Sequence, residues 1–275
     1  SDSMPERDSG WVQIYCEDAQ EVYDSVLLAV RLAEDPRVLT PVFVCQDGFI
    51  TSHCYEPVEL LDDETVRGFV GERKAAYPLL DVDNPVSYGS FTMAEYYFEI
   101  KRNQMEGMNN VLPVYEELAA ELAKETGRNY APVEDYRADD ADYVIVIMSS
   151  AAGVVKDVVD ELRDEGVKAG MLRVRFFRPF PAEEFKRLAR GKKGVAVLDR
   201  SASIGGTAPL AAEIKSVLYD LEERVPVQEY IFGLGGRDFF AADARAVFER
   251  MMKNDYRAGA RFIGLLERGG EDVRD

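Results

Sequence analysis

The stretch DYVIVIMSSAAGVVKDVVDELRDEGVKAGMLRVRFF (142–177) decides the fold. DYVIVIM is a short apolar run of strand length, and SSAAG is a tight link. VVKDVVDELRDEG then reads as a helix ended by Gly166, and MLRVRFF as the next strand. Strand, helix and strand with short links make a βαβ unit. The pattern continues downstream: PAEEFKRLAR is a helix, GVAVLD a strand, RSASIGGTAP a loop, AAEIKSVLYDLEE a helix, VQEYIF a strand and ADARAVFERMM a helix. Strict alternation predicts a parallel sheet with helices on both faces.

Upstream lies a second α/β region. WVQIYC (11–16) reads as a strand, and Asp18 with Glu21 three residues on forms an N-cap and capping-box pair. Val22, Val26, Ala29, Val30 and Ala33 recur at helical spacing and predict one apolar face. Pro36 and Pro41 end that helix and open PVFVC, a strand expected to be covered on both faces. Thr92 and Glu95 suggest a capping box for a helix from Met93, with a break or kink around Pro113. The polar stretch TGRNYAPVEDYRADDAD (126–142) separates the halves. The expected division is 1–128, a linker at 129–141, and 142–275.

The chain has 275 residues, 47% of them hydrophobic, enough for two ordinary domains. Its 33 Lys and Arg stand against 51 Asp and Glu, a net charge of −18. Such a surface repels nucleic acid and an anionic membrane face. No apolar run approaches the ~18 residues of a membrane span. Three cysteines without a CxxC do not make a disulfide framework, so a reduced, cytoplasmic setting is expected.

The rare residues gather in PVFVCQDGFITSHCYEP (41–57), which holds the single histidine. Cys45, His53 and Cys54 are spaced C-x7-H-C, unlike the paired short-range ligands of a structural zinc site. His53 and Cys54 are adjacent on an extended segment and point to opposite sides, so a thiolate–imidazole dyad is not expected. What remains is positional. Asp47 and Gly48 follow a buried strand, and parallel α/β sheets bind ligands beyond the carboxyl ends of their strands. His53 reads equally as a ligand neighbour and as a hydrogen-bonded loop residue. IFGLGGRD has Gly233, Gly235 and Gly236, but Asp238 stands where a dinucleotide fingerprint needs glycine, so a tight turn is the simpler reading. The aromatic and Met-rich stretch 87–108 suits either a core or a subunit contact.

RDSGWVQ, PVFVCQDGFITSH, GRNYAPVEDY, LRVRFFRPFP, VAVLDRS and IFGLGGRD, in this order, resemble the alpha subunits of the 2-oxoacid:ferredoxin oxidoreductase family, of the pyruvate synthase type. The resemblance runs from Asp2 to about Arg237. It implies an α/β fold: the later part of a thiamine-diphosphate-binding, pyrimidine-type domain, then a transketolase C-terminal-like parallel-sheet domain. It implies oxidative decarboxylation of pyruvate to acetyl-CoA and CO2, or the reverse, with ferredoxin. Relatives act on oxalate, 2-oxoglutarate and branched-chain oxo acids, and a non-catalytic assembly subunit is the reading from another class. Thiamine diphosphate and Mg2+ would be held mainly by a beta subunit. The 4Fe-4S clusters would lie on partner subunits and none on this chain. Beta, gamma and delta type subunits and coenzyme A are the implied partners. Ferredoxins are themselves acidic, so docking is expected on other subunits.

The family's catalytic Glu and substrate-gripping Thr and Arg lie upstream of the segment that matches SDSMPERDSG. No position here corresponds to them, and no catalytic residue is carried over. A separate chain carrying that portion, or a fragment, is the expectation, with the isolated chain inactive. Arg7, Asp8, Gly10, Asp47, Gly48 and His53 match the family's motifs and are cleft or interface candidates.

Overall fold

The computed structural model describes residues 2–266 and the backbone of 272–273. The end of the 142–275 segment beyond these lies outside the described residues. In chain order the elements are β1 (Val12–Tyr15), α1 (Ala19–Glu34), β2 (Val42–Cys45), α2 (Ile50–His53), α3 (Asp63–Val70), α4 (Ala94–Asn109), α5 (Val111–Thr126) and β3 (Val133–Tyr136). They continue with β4 (Tyr143–Ile147), α6 (Ala152–Asp164), β5 (Ala169–Val174), β6 (Phe176–Arg178), α7 (Ala182–Ala189), β7 (Gly194–Asp199), α8 (Pro209–Tyr219), β8 (Val227–Ile231), α9 (Ala241–Met252) and β9 (Arg261–Phe262).

The larger sheet has the order β3-β5-β4-β7-β8-β9. Strands β4, β5, β7, β8 and β9 are parallel, and β3 runs antiparallel at the edge. Strands β4, β5 and β7 are almost wholly buried because helices cover both faces. Val155, Val159 and Leu162 of α6 and Val247 and Phe248 of α9 fill one side. Phe185 and Leu188 of α7 and Leu210 and Ile214 of α8 fill the other. The chain leaves β4 for β5 on one side, and the strand on the other side of β4 is β7. That reversal is the switch point at which doubly wound sheets open a crevice.

The smaller sheet has the order β2-β1-β6. MLRVRFF therefore serves two sheets. Residues 169–174 pair with β4, the chain jogs at Arg175, and 176–178 pair antiparallel with β1. Likewise 129–141, read from sequence as a linker, contains β3, registered Val133↔Val174 to Tyr136↔Met171. Its alternating VEDY suits a strand with one covered face, and polar composition hid it.

Three local expectations are corrected. On α1 the inward residues are Glu21, Asp24, Ser25, Leu28, Ala29 and Leu32, while Val26 and Val30 are 46% and 40% exposed. Arginines from elsewhere in the chain draw the two acids inward and rotate the helix away from its valine stripe. Asp18 does cap it, accepting from Glu21 N at 2.7 Å. Strand β2 is half-buried throughout. Among the described residues it pairs only with β1, so its outer edge is open and Trp11 stacks on Phe43 at 4.5 Å on a partly exposed surface. Thr92 does not cap α4. Its hydroxyl donates to Ser90 O, and Met93 takes the cap position without a side-chain bond. The break near Pro113 falls at Asn110, between α4 and α5. Helix α4 buries none of its residues. Among the described residues no helix is long and apolar enough to cross a membrane.

Candidate functional site: a crevice between two sheets

Strands β1, β2, β4, β7 and β8 send their carboxyl ends toward one region. There a cavity of about 1160 Å³ opens between the sheets. Each strand delivers a short turn to it. From β2 come Asp47 and Gly48, from β4 Ser149 and Ser150, from β7 Arg200, and from β8 the glycine turn 233–236. The turns are tight because the helices that follow must pack back on the sheet. Gly233, Gly235 and Gly236 all have positive φ, and a Cβ on Gly233 would lie 2.9 Å from Arg200 Nε.

Asp47 joins the two sheets. Its Oδ2 accepts from Ser150 N at 3.0 Å and from the Ser150 hydroxyl, and pairs with Arg200 Nη1 at 3.0 Å. Arg200 in turn lies over the Phe232 ring at 5.3 Å. The turn after Asp47 is held by Thr51 N and Ser52 N, both donating to Asp47 O. It forces Phe49 to φ 64°, a sterically costly value for a bulky residue, and leaves that ring 79% exposed.

Below the crevice a smaller cavity of about 60 Å³ is lined by Tyr15, Ser149 and Asp199. Asp199 is 1% exposed. Its Oδ2 accepts from Leu210 N at 2.7 Å, and its Oδ1 is buried without a partner. Burial pushes its carboxyl up to about 6 against the pull of the Leu210 and Ser201 amides. The Tyr15 hydroxyl meets Ser3 Oγ at 2.6 Å, and burial raises its pKa. Burial also pushes the Cys45 thiol up to about 11 and the Cys16 thiol to about 12. Neither is a thiolate at neutral pH, so neither is an activated nucleophile.

Of the six sequence candidates, Asp47 and Gly48 line the crevice. His53 sits outside it on α2, exposed, its Nδ1 2.7 Å from Ser52 Oγ and its ring stacked on Phe49 at 4.7 Å. Arg7, Asp8 and Gly10 precede β1, at its opposite end. Arg7 Nε donates to Asp8 at 3.3 Å and Arg7 O accepts from Arg178 Nε at 3.0 Å. Gly10, at φ 96°, lies against Gln104 of α4. Sequence reading missed Ser150, Arg200 and Asp199. Their only signal was position: each follows or ends a parallel strand.

Both halves of the chain match family models. Residues 1–120 match the pyruvate flavodoxin/ferredoxin oxidoreductase, thiamine diphosphate-binding domain. Residues 141–244 match the pyruvate:ferredoxin oxidoreductase core domain II. The pyruvate synthase subunit PorA of Thermotoga maritima is 48% identical over 97% of this chain and 68% of its own length. That of Methanothermobacter thermautotrophicus is 42% identical, with the same coverage. The ketoisovalerate oxidoreductase subunit VorA of Pyrococcus horikoshii is 40% identical over 92% of this chain and 64% of its own. Among solved structures, the 2-oxoglutarate:ferredoxin oxidoreductase from Magnetococcus marinus shares the fold. Its TM-score is 0.59 at 14% identity, over 88% of this chain and 42% of that one. With two domains matched in order and these relatives aligned across nearly its whole length, the chain belongs to the pyruvate:ferredoxin oxidoreductase family.

Proposed function

We propose that the chain is the PorA-type subunit of a thiamine-diphosphate-dependent 2-oxoacid:ferredoxin oxidoreductase that interconverts pyruvate and acetyl-CoA, and that its crevice walls the shared reaction cleft. One observation carries this. The region matched to the thiamine-binding domain and the region matched to core domain II meet at the crevice, through Asp47, Ser150 and Arg200. Pyruvate is preferred over a branched-chain oxo acid because the relatives at 48% and 42% identity are pyruvate synthase subunits.

Thiamine diphosphate, when bound, supplies the decarboxylation chemistry. This chain supplies walls and positions. The Asp47 bridge holds the 47–49 turn over the crevice, the glycine turn keeps its rim open, and Phe49 presents an apolar face to whatever closes it. In this reading Mg2+ and the iron–sulfur clusters are held by partner subunits; the three cysteines of this chain fall short of the four thiolates of a [4Fe–4S] cluster. The division into 1–128 and 142–275 is kept in this reading, with 129–141 contributing the edge strand β3 and 176–178 returning to the smaller sheet.

The test is reconstitution with partner subunits, followed by thiamine diphosphate content and pyruvate-dependent ferredoxin reduction. Asp47→Ala and His53→Ala complexes should assemble but turn over at least about tenfold more slowly for Asp47→Ala, with a smaller loss for His53→Ala. Unchanged turnover and cofactor content in both would leave the chain an assembly module.

A further inference from the structure

Asp199 takes no part in the bridge that walls the crevice, yet it lies directly beneath it. The residue is 1% exposed, its Oδ2 accepts from Leu210 N, and its Oδ1 is buried without a partner. Burying a carboxyl oxygen in this way is costly, so the group calls for a role. It lines the smaller cavity, whose 60 Å³ exceeds the roughly 10–15 Å³ that a water requires. Tyr15 lines both this cavity and the crevice, so its side chain connects the two. The Tyr15 hydroxyl meets the Ser3 hydroxyl at 2.6 Å, and Ser3 lines the crevice. A hydroxyl donates one proton and accepts another, so two in contact can pass a proton along without either ionising.

The reaction proposed above leaves a proton over. Pyruvate, the coenzyme A thiol and two oxidised ferredoxins give acetyl-CoA, CO2, two reduced ferredoxins and one proton. The bond to the carboxylate carbon and the S–H bond break, the S–C bond forms, and the thiol proton has no place in the other products. In reverse, one proton must be supplied.

We propose that Asp199 stores this proton, exchanging it with the crevice through a water in the smaller cavity and the hydroxyls of Tyr15 and Ser3. The inference rests on the oxidoreductase reading and adds a proton path to it. In the decarboxylating direction the thiol proton passes to the ionised Asp199, then leaves by the same hydroxyls to solvent between turnovers. Asp199 acts through Tyr15 and Ser3 and is a positioning residue for the proton, not a group that touches substrate. The charged and titratable groups around it are Tyr15 of β1, Asp47 beyond β2, Arg200 beyond β7 and Glu229 of β8. Asp47 and Arg200 neutralise one another at 3.0 Å, as do Glu229 and Lys215 at 2.6 Å. Burial therefore governs Asp199 and leaves its pKa about 6, where it can both take and release a proton near neutral pH.

The test has two arms. In the chain alone, aspartate carboxyl carbons are labelled with 13C and titrated, and the Asp199 signal is the one missing from Asp199→Asn. It should titrate near pH 6. Tyr15→Phe should raise that midpoint, because the hydroxyl that reaches the carboxylate is gone. A midpoint that Tyr15→Phe does not move overturns the relay. In the reconstituted complex, Asp199→Asn and Tyr15→Phe should each lower pyruvate-dependent turnover about tenfold with thiamine diphosphate content unchanged. The parent's turnover should fall below about pH 6, as Asp199 protonates, and Asp199→Asn should lose that limb. The asparagine can still accept from Leu210 N, so its melting temperature at pH 7 should not drop, which separates a proton role from a structural one. An active parent whose variants keep its rate and its acid limb overturns the relay alone. A parent complex that binds no thiamine diphosphate and does not turn over overturns the oxidoreductase reading, and the relay with it.

Discussion

Glu21 is 2% exposed on α1 and faces two arginines. Arg173 Nη2 lies 3.0 Å from its Oε2, and Arg175 Nε donates to its Oε1. Burial alone would push its carboxyl up, but Arg173 and Arg175 outweigh that and hold it below the usual range. Removing one partner of a buried charged cluster strands the others. Glu21→Gln should therefore cost about 3 kcal/mol in urea unfolding, whereas Glu117→Gln, in an exposed pair with Arg37, should cost under about 0.5 kcal/mol. Asp199 has the opposite sign. Its folded pKa, about 6, is raised above that of an unfolded aspartate. The carboxyl's contribution is fully present below about pH 4 and is lost as pH rises through about 6. Asp199→Asn should be more stable than the parent at pH 7 by roughly 2–3 kcal/mol, and similar to it at pH 4. Melting temperature against pH for both proteins measures this. At this scale the sequence was least legible. Asp47 was found because it follows a strand beside a glycine. Asp199 ends an apolar run as any strand-ending aspartate does, and only its burial sets it apart.

Strand β5 crosses beneath the turn at 137–141 at Gly170. A Cβ there would lie 2.7 Å from Ala138 Cα and from Arg137 O, and 2.9 Å from the Ala141 Cβ. These are backbone atoms and a short side chain that cannot swing aside. Gly170→Ala should destabilise by about 1–3 kcal/mol in thermal unfolding. The elements themselves were mostly legible. Apolar runs with glycine and proline punctuation located β1, β2, β4, β5, β7 and β8 and the helices between them, except α2: the segment holding His53 was read as extended and is a short helix. Two further readings failed. Strand β3 is an edge strand whose polar VEDY alternates too briefly to stand out. The face of α1 was misread because periodicity counts valines and does not see arginines distant in sequence. Arg128 Nε reaches Asp24 at 2.6 Å, and Tyr130 OH reaches it at 2.6 Å, so side chains about a hundred residues away orient the helix.

Across the molecule the apolar surface is unevenly spread. Tyr77, Leu80, Phe91, Tyr96 and Phe98 are each 65% exposed or more, and α4 has no buried residue. A patch so rich in aromatic side chains is the composition of a protein interface, consistent with a subunit that works inside a complex. Phe98→Asp should block assembly with partner subunits in size-exclusion chromatography. It should shift the chain's own stability by no more than about 0.5 kcal/mol, because the ring packs into no core. The family was legible at this scale from six ordered motifs. The crevice was not, since it exists only where two sheets meet.

The jog at Arg175 has a consequence for how the polypeptide can be divided. Strand β6 completes the smaller sheet from the far side of 129–141, and Arg173 and Arg175 bring with them the counter-charges for Glu21. The covalent connection and the structural seam are therefore in different places. A backbone nick between 137 and 141 would leave every strand pairing of the smaller sheet intact, and the two pieces would stay together as a noncovalent pair. A cut a few dozen residues later, between 174 and 176, would instead divide the larger sheet, with β3, β4 and β5 on one piece and β7, β8 and β9 on the other. Where the chain is cut, rather than how much is removed, decides whether its halves can find each other again.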